Sequence, residues 1–290
     1  MSEVQRTLGV IGGSGLYELE RLTNVEELKM TTPFGAPSDA IIAGTIESTR
    51  LLFLPRHGRG HGIAPHKINY RANVLALKMA GAEQILSVSA VGSMQEDIHP
   101  GDMIVVDQFI DRTRHRIDTF FDDDGVVAHV EFAEPIDAQL ASSLARAANR
   151  AGATVHESGV YLCMEGPQFS TRAESQLYRS WGVSVIGMTN LPEARLAREA
   201  ELPYATLAMA TDYDCWHEGH DAVTVSAVIA VMQGNVARAK EIIVELAQNL
   251  PDPSGRPATS ALAGAIITKP GSISVAARDK LRPLIEKYVS

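Results

Sequence analysis

Apolar residues in the first part of the chain fall in short runs that end at glycine or polar residues. The run at residues 8–11 stops at "GGSG", and "DAIIAGTIESTRLLFLP" holds two runs around a polar turn. "EQILSVSAVGS" and "GDMIVVDQFI" are further runs, rich in β-branched residues. Short apolar runs with turn residues at both ends are typical of buried strands. We therefore expect a strand at each of these positions.

Helical spacing of apolar residues follows in "NYRANVLALKMAGA", which ends at Gly81, a common helix stop. Residues 137–151, "NLPEARLAREA" and residues 224–250 are also expected to be helices. "STRAESQLYRSWG" begins with Thr171 and Glu174 at the spacing of a capping box, which predicts a helix start. Between these helices, residues 155–164, "VSVIGM" and "PYATLAMATDYD" read as strands.

Alternation of strands and helices predicts an α/β fold with a largely parallel, helix-covered sheet. We assign residues 1–250 to a single domain, because no linker-like or low-complexity segment interrupts them. Residues 251–290 form a C-terminal tail, loose over the Gly-, Pro-, Ser- and Ala-rich residues 251–274 and helical over residues 278–289. Ligands of such sheets bind beyond the carboxyl ends of the strands.

Composition narrows the class of protein. The chain has 290 residues, 45% of them hydrophobic, which suffices for one large domain. Its net charge of −9 argues against a nucleic-acid-binding or membrane-surface protein. Cys163 and Cys215 have no metal-ligand spacing, and neither a membrane span nor a signal-peptide core is evident. We expect a soluble, cytoplasmic protein.

One loop is rich in basic residues, although the chain as a whole is acidic. "LPRHGRGHGIAPHKINYR" collects arginines, histidines and a lysine between glycines. The guanidinium of Arg56 offers two parallel donors that suit a phosphate group, and His57 can donate and titrates near neutral pH. A solvated basic loop is the plain alternative. Zinc bound by His57 and His61 is another, although the glycines disfavour the helix that this spacing needs.

Two glycine- and serine-rich strand ends add possible anion donors. In "GGSG", backbone N–H groups and the Ser14 hydroxyl could converge on an anion, although an ordinary tight turn explains the glycines equally well. The motif does not fit the GxGxxG fingerprint of dinucleotide-binding proteins. "SVSAVGS" offers Ser89 and the backbone of Ala90, a weak signal by itself.

Carboxylates and an aromatic residue form the remaining signals. On a strand, Asp212 and Asp214 of "ATDYDCW" would face the same side, and two neighbouring carboxylates leave one able to hold a proton. A metal pair or an exposed acidic turn are the alternatives. Phe169 of "MEGPQFSTRAES" has two interpretations: it is an ordinary core residue, or its ring stacks on a flat ligand.

Five motifs in order resemble the trimeric purine nucleoside phosphorylases: "GVIGGSGLYE", "LPRHGRGHGIAPHKINYRAN", "MEGPQFSTRAESQLYRSWG", "GMTNLPEA" and "MATDYDCWHE". The resemblance spans residues 8–250 and does not reach the tail. It implies a three-layer α/β/α fold around a mixed, largely parallel sheet, and a homotrimer with sites near the subunit boundaries. It also implies no metal and no organic cofactor, with a purine nucleoside and inorganic phosphate as substrates.

The resemblance assigns roles to residues of this chain. For phosphate it implies Ser14, Arg56, His57, Ser89, Ala90 and Thr189. For the nucleoside it implies Phe169, Ser170, Met188, Asp212, Asp214, Val225 and Val228, with His129 reaching in from a neighbouring subunit. His57, Asp212 and Asp214 are then the candidate catalytic residues, and Val225 and Val228 would surround a 5′-methylthio group.

The expected reaction is the phosphorolysis of S-methyl-5′-thioadenosine to adenine and 5-methylthio-α-D-ribose 1-phosphate. A phosphorylase of 6-oxopurine nucleosides is the first alternative, but such enzymes tend to have Asn where this chain has Asp. A nucleosidase that uses water and a nucleotide-binding module without catalysis are the others. Base release from different nucleosides, with and without phosphate, separates all four hypotheses.

Overall fold

The computed structural model describes residues 6–289, except residues 14, 17, 123–124 and 218–224 and the side chains of residues 225–228 and 230. Its strands are β1 (Arg6–Gly12), β2 (Thr23–Leu28), β3 (Ile41–Ile46), β4 (Thr49–Pro55), β5 (Gln84–Ser93), β6 (Met103–Val105), β7 (Gln108–Arg112), β8 (Val155–His156), β9 (Val160–Met164), β10 (Val185–Gly187) and β11 (Tyr204–Asp212). Its helices are α1 (Tyr70–Met79), α2 (Ala138–Arg150), α3 (Arg172–Ser180), α4 (Asn190–Glu199), α5 (Val225–Gln248) and α6 (Val275–Val289).

All the strands join one mixed sheet. Its main path is β2-β3-β4-β1-β5-β10-β9-β7, while β11 pairs with β5 and β6, and β6 pairs with β8. β4, β1, β5 and β11 are parallel neighbours, so their carboxyl ends lie at one edge of the sheet. β10 runs antiparallel to the end of β5, and the chain beyond it therefore turns back toward that same edge. This arrangement collects strand ends from both halves of the sheet.

Helices cover the sheet in two groups, which confirms the three-layer α/β/α prediction. α1 contacts α4 and α6, and α2 contacts α5. Leucine, isoleucine and phenylalanine side chains from strands and helices form one large buried core, which includes Phe53, Leu75, Leu207 and Ile243. None of the helices in the described part of the chain has the length and apolar content needed to cross a membrane.

Several helix boundaries follow the local signals in the sequence. α1 ends next to Gly81, which has a positive φ of 96° that suits glycine. The Asp137 carboxylate accepts from the amide of Leu140 and caps α2. Thr171 and Glu174 form both bonds of the expected capping box at α3. These predictions are confirmed.

Two predicted strands are each divided, and the division has a tertiary cause. "GDMIVVDQFI" becomes β6, which pairs with β11, and β7, which pairs with β9. Residues 155–164 become β8, which pairs with β6, and β9. Asp107 and Gly159 bind each other at the point where both segments change partners. The sequence did not predict β2, because its residues are mostly exposed and carry no apolar run.

The C-terminal segment is packed, so the expectation of a loose tail is wrong. Arg256 is buried and donates to the Asp137 carboxylate at 2.6 Å. Leu262 and Ile273 join the core, and the predicted terminal helix is present as α6. At its end, the Tyr288 hydroxyl donates to Glu201 at 2.6 Å. A few buried apolar and charged residues thus hold this segment against the domain, despite its glycine- and proline-rich composition.

The buried end of α4 makes stability depend on pH. Burial raises the pKa of Glu199 from 4.5 to about 7, against hydrogen bonds from the Phe120 amide and the Thr119 hydroxyl. Between these two values the folded state binds more protons than the unfolded state, so stability falls as pH rises through this window. The parent should lose unfolding free energy between pH 5 and pH 8. In Glu199→Gln, we expect this loss to be smaller by about 2–3 kcal/mol. Urea unfolding of parent and variant at both pH values measures the difference, and equal pH dependence would contradict it.

Candidate active site

A cavity of about 300 Å³ lies at the sheet edge where the strand ends meet. Its walls come from the ends of β4, β5, β9, β10 and β11, the turn after β1, and the α5 residues Met232 and Val236. Nine of the expected site residues line it: Arg56, His57, Ser89, Ala90, Phe169, Met188, Thr189, Asp212 and Asp214. The expected convergence of the motifs at strand ends is confirmed. Ser14 and the side chains of Val225 and Val228 lie outside the described residues.

Arg56 lies below the cavity wall with only 2% of its surface exposed. Its Nε donates to Glu193 Oε2 at 2.9 Å, and its Nη2 donates to Glu193 Oε1 at 3.1 Å. The two parallel donors expected to face phosphate therefore face a protein carboxylate. Burial by itself lowers the pKa of Arg56, but the adjacent Glu193 charge outweighs it and holds the pKa above its ordinary value. The expectation of a two-pronged arginine grip on phosphate is wrong.

Two other arginines of the glycine-rich loop, Arg59 and Arg71, form ion pairs outside the first cavity. Arg59 pairs with Glu27 and Asp39 at the surface, with N–O distances of 3.1 and 2.9 Å. Arg71 pairs with Asp122 at 2.7 Å, in a second cavity beside Phe34. The solvated-loop interpretation therefore holds for Arg59, whereas Arg56, His57, His61 and Pro65 of the same loop line the first cavity.

His57 enters the cavity as a neutral ring. Its Nδ1 lies 2.8 Å from the carbonyl oxygen of Ile63, which can only accept, so Nδ1 carries the proton and Nε2 keeps a lone pair. Burial lowers the pKa of His57 to about 4, helped by the positive charge of Arg56 and opposed by the Ile63 hydrogen bond. The expectation that His57 titrates near neutral pH is wrong for the ligand-free chain.

Ser89 and Thr189 contribute hydroxyl groups to the same cavity. Ser89 Oγ lies 3.0 Å from Thr189 Oγ1 and 3.2 Å from the Tyr161 hydroxyl. Burial raises the pKa of Tyr161 to about 12, so its hydroxyl keeps its proton. Tyr161 fits only because residue 187 is glycine, since a Cβ there would lie 2.0 Å from the Tyr161 oxygen. No sequence signal pointed to Tyr161, which is one of several residues of an apolar strand.

The two aspartates also line the cavity, but they do not lie on one strand. β11 ends at Asp212, and Asp214 begins a short 3₁₀ turn with a positive φ of 39°. Asp212 Oδ1 accepts from the Asp214 amide at 2.9 Å, and Oδ2 accepts from the Thr211 hydroxyl at 2.7 Å. Asp214 Oδ2 accepts from the Ser175 hydroxyl at 2.6 Å. The turn, rather than strand alternation, brings the carboxylates together.

Both carboxyl groups are shifted toward the protonated form. Burial raises the pKa of Asp212, although the Thr211 and Asp214 hydrogen bonds oppose the shift. Burial also raises the pKa of Asp214, where the Ser175 bond opposes the shift and the charge of Asp212 adds to it. A pair of this kind can donate a proton from one member and accept a hydrogen bond at the other.

Arg116 binds the backbone of segments that border the cavity. Its side chain is 2% exposed, and its two Nη atoms donate to four carbonyl oxygens, those of Met164, Glu165, Met188 and Leu191. These carbonyls belong to the ends of β9 and β10 and the start of α4. One side chain therefore sets the position of the Met188 backbone. Sequence reasoning missed Arg116, whose surroundings carry no motif.

Phe169 lines the cavity, whereas Ser170, which follows it in the chain, is not one of the lining residues. Phe169 lines the cavity yet is 54% exposed, so one ring face is available for a flat ligand and the core alternative is excluded. Ser170 lies beside it, with its carbonyl accepting from Cys215 Sγ at 3.4 Å. His129 is exposed and lines a separate cavity, and it does not reach the first cavity of its own chain. Within the described residues, no group of three or more His, Cys, Asp or Glu side chains is placed to hold a metal ion.

Comparison with protein families places this geometry in context. The sequence model of the Phosphorylase superfamily matches residues 7–248. A relative from Geobacter sulfurreducens named S-methyl-5′-thioadenosine phosphorylase is 55% identical over 99% of this chain and 100% of its own length. A relative of the same name from Thermosynechococcus vestitus is 54% identical over 97% of this chain and 99% of its own. Both alignments include the C-terminal tail.

Solved structures agree with the sequence relatives. A methylthioadenosine phosphorylase from an antarctic soil metagenomic library superposes with a TM-score of 0.90 at 44% identity, covering 97% of this chain and 99% of its own. Methylthioadenosine phosphorylase from Schistosoma mansoni, solved in complex with adenine, gives a TM-score of 0.85 at 35% identity. That comparison covers 90% of this chain and 99% of the other. The fold prediction is confirmed.

The His57 geometry predicts an unusual titration. In selectively labelled protein without ligand, the His57 ring signal should show no inflection between pH 5 and pH 8, because burial holds its pKa to about 4. Adding phosphate should raise the pKa, since a bound dianion favours the charged ring. The signal is assigned by its loss in His57→Gln. An inflection near 6.5 without ligand would contradict the neutral, Nδ1-protonated ring.

Proposed function

The chain belongs to the phosphorylase superfamily, and we propose that it converts S-methyl-5′-thioadenosine and inorganic phosphate to adenine and 5-methylthio-α-D-ribose 1-phosphate. One observation carries this proposal. Phosphate-type donors and a pair of buried carboxyl groups line one and the same cavity, together with Met188. The relatives that match this chain over nearly its whole length carry the corresponding name.

Phosphate is assigned to the wall formed by the ends of β4, β5 and β10. Arg56, His57, Ser89, Thr189 and the Ala90 backbone line it together. Nη1 of Arg56 and the hydroxyls donate hydrogen bonds to phosphate. Nε2 of His57 accepts a hydrogen bond from the P–OH group that phosphate carries at neutral pH. Directional bonds of this kind hold the nucleophile in line with C1′ of the sugar. Because Glu193 compensates Arg56 and His57 is neutral, phosphate keeps its negative charge and stabilises the cationic sugar.

The purine is assigned to the wall of Asp212 and Asp214, with Phe169 stacking on its face and Ser170 at its edge. As the bond between C1′ and N9 breaks, negative charge develops on the base. We assign the proton that reaches N7 to Asp212 and the hydrogen bond from the 6-amino group to Asp214. Proton donation of this type contributes roughly 10²–10⁴-fold to the rate. The raised pKa of both carboxyl groups, caused by burial, supports the assignment.

The ribose lies on Met188 in this arrangement, and its 5′ substituent points toward α5. Met232 and Val236 give that side of the cavity an apolar surface. We propose that Val225 and Val228 extend it and select the 5′-methylthio group over a hydroxyl. Burying one methyl group is worth about 1 kcal/mol, and a hydroxyl without a partner would cost more.

We propose a cytoplasmic homotrimer without metal or organic cofactor. The motifs that resemble trimeric phosphorylases support this assembly, and the position of His129 fits it. His129 lies exposed in a cavity of about 420 Å³ with Phe132 and Arg195, where it can reach a neighbouring subunit rather than its own site. Light scattering of the purified protein measures the assembly.

Base release provides the direct test. We expect adenine from S-methyl-5′-thioadenosine only when phosphate is present, and a lower specificity constant for adenosine and for inosine. 5-Methylthio-α-D-ribose 1-phosphate should form in equal amount with adenine. Adenine release that continues at full rate without phosphate would identify a nucleosidase, and faster hypoxanthine than adenine release would identify a 6-oxopurine phosphorylase.

Asp212→Asn isolates the proton donor, because the site tolerates the exchange. The Asn oxygen still accepts from the Asp214 amide, and the Thr211 hydroxyl, which also lies 3.1 Å from the Val91 carbonyl, can donate there and accept from the new amide. We expect kcat for S-methyl-5′-thioadenosine to fall by roughly 10²–10⁴-fold, because the proton source for N7 is lost, with a much smaller loss for inosine. Asp214→Asn should give a smaller shift in the same direction. If the ratio of adenine to hypoxanthine release stays within about twofold in both variants, these carboxylates do not read the base.

A further inference from the structure

A fully buried ion pair lies directly behind the phosphate wall. Glu193 has 0% of its surface exposed and Arg56 has 2%, and two parallel bonds of 2.9 and 3.1 Å join them. Glu193 lies on α4, 137 residues along the chain from Arg56. Its motif, "GMTNLPEA", is one of the five that match the phosphorylases, yet the reaction described above gives Glu193 no role.

The bonds of Arg56 leave one donor for a ligand. Nη2 also donates to Ser87 Oγ at 2.7 Å and the Ile11 carbonyl at 3.2 Å, and Nη1 donates to the Val88 carbonyl at 3.1 Å. A guanidinium has five N–H groups, two of them on Nη1. Among the described residues, the second Nη1 hydrogen has no partner, so it is the one that can reach an anion in the cavity.

Glu193 is itself held in place. The Tyr204 hydroxyl donates to its Oε1 at 2.9 Å, and the Asn190 amide nitrogen donates to the Tyr204 oxygen at 2.8 Å. The same amide nitrogen lies 2.8 Å from Ser87 Oγ, which also contacts Arg56. The carboxylate and the guanidinium are therefore fixed by one closed set of buried hydrogen bonds.

We propose that Glu193 is a positioning residue for phosphorolysis, which acts by fixing Arg56 so that a single Nη1 hydrogen is aimed at phosphate. The inference rests on the proposed function. A lone arginine would not stay buried here without an anion, because an uncompensated charge is costly to desolvate. With Glu193 in place, Arg56 is oriented before phosphate arrives, and phosphate binding needs no rearrangement.

Glu193→Gln tests this role with the smallest change of shape. One carboxylate oxygen becomes an amide that donates, so whichever way the amide turns, a donor faces the guanidinium where an acceptor stood. We expect the KM for phosphate to rise about tenfold or more, which corresponds to the loss of one well-aimed hydrogen bond to a charged group. The KM for S-methyl-5′-thioadenosine and the Kd for adenine should stay within about twofold, since neither ligand touches Arg56.

Glu199→Gln is the matched control. Glu199 is a buried carboxylate on the same helix, and it binds Thr119 and Phe120 rather than Arg56. Its exchange should leave the KM for phosphate unchanged. Tyr204→Phe removes the bond to Glu193 Oε1 and the acceptor of the Asn190 amide, but it leaves both bonds between Glu193 and Arg56. It should therefore raise the KM for phosphate by a smaller factor than Glu193→Gln does.

A double-mutant cycle identifies the route of the effect. If Glu193 acts through Arg56, Glu193→Gln should add no further rise in the KM for phosphate once Arg56→Ala is present. Full additivity of the two rises would overturn the proposal. So would a folded Glu193→Gln whose KM for phosphate matches the parent, or one whose KM values for both substrates rise equally.

Two other experimental results would call for a different test of the positioning role. If Glu193→Gln does not fold, Tyr204→Phe decides, and an unchanged KM for phosphate in that variant overturns the positioning role. If the parent protein releases adenine without needing phosphate, the proposed function fails instead. Phosphate binding to parent and Glu193→Gln, measured by calorimetry, then tests the positioning role alone, with weaker binding in the variant supporting it and equal binding overturning it.

Discussion

The Arg56–Glu193 pair withdraws two opposite charges from water at the point where the sheet and α4 meet. Desolvating each ion costs several kcal/mol, and the pair is tolerated only because nearly every donor and acceptor around it is used. The partners come from the end of β1, the middle of β5 and the first half of α4, while Arg56 itself follows β4. Any displacement of one of these elements would leave a buried charge without a partner, so their ends are fixed relative to one another.

Arg116 applies the same constraint to the other half of the sheet. Its guanidinium collects carbonyl oxygens from the ends of β9 and β10 and from the start of α4. α4 therefore contacts both arginines, through Leu191 and Glu193, and links the two groups of strand ends that border the cavity. A site whose groups are already in place loses little free energy to rearrangement when substrates bind or when charge develops in the transition state.

Burial acts on the titratable groups of the two walls in a consistent way, because it favours the neutral form of each. It lowers the pKa of His57 and raises the pKa of Asp212 and Asp214. In the proposed reaction, the wall assigned to phosphate thus offers directional hydrogen bonds without surplus positive charge, and the wall assigned to the purine offers a proton. Those are the two demands of a reaction in which an anion attacks a sugar cation while a base departs.

The sequence alone predicted much of this protein. Apolar periodicity and capping residues predicted most strands and helices, and the positions of motifs at strand ends predicted which residues would meet, because these signals act within a few residues of the chain. Glu193, Tyr161 and Arg116, the neutral ring of His57, the divided strands and the packed tail were decided by tertiary structure. Each depends on a partner far along the chain, as Arg56 does on Glu193 137 residues away. Such contacts leave no local pattern, since burial and hydrogen-bond partners exist only once the strands have assembled.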